Sequence, residues 1–228
     1  MVEVLLKIVG AVLLTVIGYF SEVIEHRFKK YHDIVLGFGT GSFITFIFLD
    51  LLPEAIVNEA SYIYFLLGFI VFHIVKKYIF QHAIGKERKH YAVILDRGEE
   101  FIKNVTEGVT VVFSLDFAVA KSFLVFIPLI LRKISFSVLL TPLHHYEGKD
   151  SNLLGIIAQA GTIVGTIMAL QFSPASELFK ASFPFVIGAL LYMVLRDIFP
   201  KEKEGSVEFF AIGVAVTYVL IHALKTVA

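Results

Sequence analysis

Glu100, Asn104 and Glu107 fall at i, i+4 and i+7, with Ser114 further along, so a helix there carries them on one face. Lys103 lies beside this stripe, within reach of Glu99 or Glu107. Arg132 and Lys133 sit in the middle of another apolar segment, shortly after Pro128, whose missing N–H kinks a helix. Carboxylates and an amide are oxygens that can replace an ion's hydration shell. Fixed cations nearby either neutralise those oxygens or draw an anion.

The chain that carries these groups is 57% hydrophobic with a mean hydropathy of +0.80, too apolar for a soluble domain of its length. Its formal net charge is zero, which leaves no basic surface for nucleic acid. It has no cysteine, so a disulfide framework and a thiolate metal site are both excluded. Eight segments approach the roughly 20 apolar residues that a hydrocarbon span needs: Val4–Phe20, Ile34–Leu52, Ser61–Phe80, Phe101–Ala120, Ser122–Leu140, Leu153–Phe172, Ala181–Phe199 and Val207–Leu224. The first lacks a basic start and a clear small-residue cleavage site, so it reads as a membrane helix rather than a signal peptide. The expectation is an all-α integral membrane protein, with residues 1–228 forming a single transmembrane domain.

Lys and Arg concentrate in the odd-numbered connectors, among them Arg27, Lys29, Lys76, Lys77, Arg88 and Arg196. By the positive-inside rule those connectors are cytoplasmic, in the cell membrane, and both termini lie outside. Gly41–Pro53 (GSFITFIFLDLLP) and Gly188–Pro200 (GALLYMVLRDIFP) carry Gly, Asp and Pro in the same places, each apolar run ending at its proline. With this orientation the two segments point in opposite directions, which makes the echo an inverted repeat. The fourth and fifth segments fall between the halves, where such folds hold their substrate.

If the fourth and fifth segments meet near Ala120–Lys121, Glu107 and Arg132 each lie roughly a dozen residues below the turn, on the order of 18 Å deep. That is near mid-membrane, where ionisable groups face a cavity or a partner. Two readings follow: a polar cavity that binds or passes an ion, and a buried Glu107–Arg132 pair that locks the hairpin. Gly37/Gly41 and Gly161/Gly165 read as close helix packing. His144, His145 and Glu147 read as solvated connector residues. No H-E-x-x-H or G-x-S-x-G is present, so no enzyme is expected.

Phe48-Leu-Asp-Leu-Leu-Pro-Glu-Ala55, Gly188–Pro200 and the eight-segment topology resemble the ZIP (Zrt/Irt-like) metal transporter family, over nearly the whole chain. The resemblance implies an eight-helix bundle with inverted repeats of helices 1–3 and 6–8, transporting divalent metal cations such as zinc or iron. It also implies where metal ligands belong. The family's fourth helix usually carries H-N-x-x-[DE]-G; here Lys103-Asn-Val-Thr-Glu-Gly108 keeps Asn104 and Glu107 but has lysine at the histidine position. The fifth usually reads H-x-x-P-E-G; here Arg132 and Phe136 stand for the histidine and the acid, and a shift of one residue puts Lys133 at the histidine position. In the sixth, Gln159 takes the place of an acid.

The expected metal set is therefore Asn104, Glu107 and Gln159, with Glu100, Lys103, Arg132 and Lys133 along the transport path as a polar group and tethered cations. Protonated lysine and arginine have no lone pair to offer a metal. They would neutralise Glu107 themselves, standing where metals would be. No resident cofactor is implied; a divalent metal would be substrate. Expected partners are the lipid bilayer and a small inorganic ion, with a homodimer left open. The alternatives are a different, possibly anionic, substrate and a non-transporting structural homologue.

Overall fold

Where water is absent, a backbone must satisfy its own N–H and C=O groups, and a helix does so within one segment. In a computed structural model, the residues described are 2–28, 31–83, 89–117, 126–127, 129–131, 133–134, 150–171, 176–198 and 206–227. They are helical almost throughout, and no strand occurs among them. The elements are α1 (Val2–Phe28), α2 (His32–Phe46), α3 (Leu52–Ala55), α4 (Glu59–Ala83), α5 (Lys89–Phe117), α6 (Asp150–Ala169), α7 (Glu177–Met193) and α8 (Val207–Val227). Two π-helical turns, Ile47–Leu51 and Val194–Ile198, follow α2 and α7 directly. The described residues between 126 and 134 are helical as well. Four stretches are long and apolar enough to cross a membrane: Val4–Ser21, Asp33–Ala55, Glu59–Tyr78 and Glu177–Arg196.

Local chemistry sets several boundaries. Asn58 Oδ1 accepts from the Ser61 N–H at 3.0 Å, and Ser176 Oγ from the Phe179 N–H at 3.1 Å; each caps the free donors of a helix start. Pro53 does not end its helix, contrary to the sequence expectation. It sits in the first turn of α3, where its missing N–H is not needed. Just before it the chain widens, and the Leu52 N–H bonds the Ile47 carbonyl five residues back. The second π turn occupies the matching place in the Gly188–Pro200 echo; Phe199 and Pro200 lie outside the described residues. α5 starts at Lys89, well before the apolar segment expected from Phe101. Hydropathy marks only the apolar part of a helix, whereas its backbone hydrogen bonds continue through the polar residues before it.

Three helix pairs approach at backbone distance, and glycine makes each approach possible. A Cβ on Gly41 would collide with the Phe210 carbonyl of α8, and one on Gly213 with the Phe38 carbonyl of α2. The same reciprocal contact joins α4 to α7: Gly188 meets the Phe65 carbonyl and Gly68 the Phe185 carbonyl. Equal spacing separates Phe38 from Phe185, Gly41 from Gly188 and the first π turn from the second. Another single spacing relates Phe65 to Phe210 and Gly68 to Gly213. The two pairs therefore repeat one contact.

Between α5 and α6, Gly161 faces Phe101, Gly165 faces Val105 and Gly108 faces Thr162 and Thr166, so these helices run parallel. α1 runs parallel to the 126–134 helix, since Gly10 faces Phe126 and Gly18 faces Lys133. α5 runs antiparallel to α7: Phe113 stacks near Phe179 and Phe183, with centroids 4.3 and 5.5 Å away, while Lys103 lies by Tyr192 and Met193. The core fills with Phe43, Phe46, Leu51, Phe113, Phe183 and Leu190, all at most 2% exposed. α4 is peripheral: only 11% of its span is buried, against 67% for Asp33–Ala55.

Candidate ion site

Parallel packing of α5 on α6 sets the polar stripe of α5 against Gln159 and Thr162. Gly18 of α1 leaves room on a third side, where a Cβ would strike Gln159 Oε1 and approach Lys133 Cδ to 3.1 Å. The fourth side is the 126–134 helix, which contributes Lys133. Glu100, Asn104, Glu107, Lys133, Gln159 and Thr162 are all buried, none more than 5% exposed.

Lys133 Nζ is the centre of this arrangement. It donates to Asn104 Oδ1 at 2.8 Å, Gln159 Oε1 at 3.0 Å and Thr162 Oγ1 at 3.2 Å, and lies 3.0 Å from Glu107 Oε2. An ammonium has three N–H donors, so four surrounding oxygens exceed what it can saturate. The cage is held from behind. Asn104 Nδ2 donates to the Ala158 carbonyl at 2.8 Å, and Gln159 Nε2 to Glu100 Oε1 at 2.8 Å. Arg97 Nη1 donates to Glu100 Oε2 at 2.7 Å. These contacts fix both amides with their oxygens toward Lys133. Among the described residues, the charges of Arg97 and Lys133 balance those of Glu100 and Glu107.

Of the expected site residues, the fold brings Glu100, Asn104, Glu107, Lys133 and Gln159 together. Lys133 meets Glu107; the Glu107–Arg132 pair expected from the sequence falls on Arg132, which lies outside the described residues, as do Pro128 and Phe136. Lys133 points into the cage, as in the register shifted by one residue that the sequence also allows. Lys103 pairs with Glu99 at 2.7 Å, and Glu99 also takes Lys76. It thus faces a small cavity of about 30 Å³ between α4, α5 and α7 rather than standing at the centre of the cage. Arg97 and Thr162 were missed. Arg97 precedes the apolar segment, but its i, i+3 spacing from Glu100 was a usable signal.

Chemically the cage is an all-oxygen site: one carboxylate, two amide oxygens and a hydroxyl. Among the described residues no three His, Cys, Asp or Glu side chains gather in one place. His144, His145 and Glu147 lie outside the described residues. Such oxygens suit a hard cation better than a soft one. No protein-family model matches this chain, and no curated protein matches it at a significant level.

Proposed function

We propose that the chain is a membrane transport protein of the ZIP-like class that carries a divalent metal cation between α1, α5, α6 and the 126–134 helix, and that Lys133 stands in the substrate's place when no substrate is bound. The observation that carries this reading is the cage of four oxygens at 2.8–3.2 Å from one ammonium nitrogen. A protein cation in such a cage marks it as favourable for positive charge in an apolar surround. An arriving divalent ion competes with Lys133 for Glu107. Release of the Lys133 proton, or withdrawal of the side chain, frees the oxygens.

The helix pairing supports an inverted-repeat transporter. Exchanging the first three spans with the last three, and the fourth with the fifth, turns the α2/α8 contact into α7/α4 and the α5/α6 contact into the one between α1 and the 126–134 helix. Substrate sites in such folds lie where the repeats meet. An anionic substrate is disfavoured, because Lys133 is ringed by oxygens. A non-transporting bundle keeps one observation in its favour: among the described residues the charges of the network already balance.

The test is flux of zinc, cadmium, iron(II) and manganese into proteoliposomes, with wild type beside Glu107→Ala, and metal binding by Lys133→Ala. Transport predicts wild-type flux that Glu107→Ala abolishes, and tighter binding once Lys133 is gone. Folded wild type without flux, together with folded Lys133→Ala that binds none of these metals, would leave the cluster a structural network.

A further inference from the structure

A second polar feature lies away from the ion site, on the outer side of the α4/α7 pair. Phe69, His73, Lys77, Tyr192, Leu195 and Arg196 line an open groove of about 360 Å³. Tyr192 is its floor, packed edge-on by Phe69 and His73 with ring centroids 5.3 and 5.5 Å away. The Tyr192 hydroxyl accepts from Arg196 Nη1 at 2.9 Å, which steers the guanidinium along the groove. Lys77 and Arg196 are exposed, and among the described residues neither meets a carboxylate. Neighbouring Lys76 and Lys103, by contrast, share Glu99.

We propose that this groove binds the phosphate headgroup of an anionic membrane lipid between Lys77 and Arg196. The occupant is argued from charge and from location. Two cations that meet no carboxylate among the described residues, one of them a guanidinium fork, match a phosphate, and no acid is among the described residues that line the groove. Lys77 lies at the end of the apolar Glu59–Tyr78 stretch, which on the membrane reading is the level of lipid headgroups. The walls continue into apolar surface: Ile70, Ile74 and Leu195 are 40%, 58% and 45% exposed, a path for acyl chain rather than for a free ion.

The repeat supplies an internal control. At the positions that match this groove in the other half stand Thr45, Phe48, Leu49, Val214, Tyr218 and His222. Leu49 replaces Arg196 and His222 replaces Lys77, so the pair of fixed cations belongs to one half only. The charge is not a by-product of the repeated packing. This inference rests on the membrane reading but not on transport, and its readout is lipid retention rather than flux.

The experiment extracts the protein from vesicles of equal phosphatidylglycerol and phosphatidylcholine and counts retained lipid by native mass spectrometry. Wild type should retain phosphatidylglycerol preferentially. Lys77→Gln with Arg196→Gln should reduce that retention roughly ten- to thirty-fold, taking about one contact-strength of lipid attraction per cation. Lys77→Arg with Arg196→Lys, which keeps both charges, should retain most of it and shows that the groove still folds. Equal retention of the two lipids, or retention unchanged in the double Gln variant, overturns the proposal. So does displacement of the lipid by millimolar inorganic phosphate, which would make the occupant a free anion.

Discussion

The α2/α8 and α4/α7 pairs hold by shape, whereas the Lys133 cage holds by charge. In the first two regions, glycine brings backbone against backbone and no ionised side chain takes part in the reciprocal contacts. In the third, two carboxylates and two cations lie buried within one hydrogen-bonded network. A shape-held contact tolerates a change of medium but not an added methyl group. A charge-held contact tolerates small changes of volume but not the loss of one partner. The difference suits the proposed transport reading, in which an outer frame of fixed geometry surrounds a centre whose occupancy changes.

The strongest way to break the comparison is to fill a glycine. Gly41→Leu and Gly188→Leu should each destabilise by more than about 3 kcal/mol, because the collision is with a backbone carbonyl that no rotamer change can move. Loss of a monodisperse, thermally cooperative protein in detergent would be the readout. Similar losses at both positions would sharpen the claim that the two pairs repeat one contact, and tolerance of either leucine would refute it.

Removing charge at the centre should come next. Lys133→Ala leaves Glu107 buried without its cation and should lower stability by about 3–5 kcal/mol. Adding Glu107→Gln should recover a large part of that loss, since the uncompensated charge is gone. A double variant no more stable than the single one would show that the ammonium acts through packing instead of charge.

The smallest effect belongs outside both regions. Ser176→Ala removes the cap of α7 and should lower stability by about 1 kcal/mol without altering metal binding or lipid retention. It provides the baseline for an ordinary helix-end loss in this bundle.

Much of this organisation was legible in the chain. The Gly–Asp–Pro echo pointed to two segments that do share a π turn at matched positions. Gly37, Gly41, Gly161 and Gly165 were read as close-packing positions, and each does face a backbone carbonyl or nitrogen of another helix. The stripe of Glu100, Asn104 and Glu107 was visible from helical spacing alone. What stayed hidden depended on register and tertiary context. Arg132 and Lys133 are adjacent cations in an apolar run, and nothing in its periodicity says which one faces inward. The π turns also hid, because a one-residue widening leaves no compositional trace beyond the proline after it. Thr162 and Gly18 looked like ordinary small residues until neighbouring helices made them the wall of a cage.

The pairing of α2 with α8 has a consequence for biosynthesis. The partner of α2 is α8, which begins only at Val207, so α2 is finished long before its matching surface exists. At roughly 5–20 residues per second, the ribosome takes on the order of ten seconds or more to go from Ala55 to Val227. Throughout that interval the Gly37–Gly41 surface, shaped to fit one helix closely, has to remain uncommitted. The α2 surface closes only when α8 arrives, and a chain cut short before Val207 would leave the Gly37–Gly41 face open.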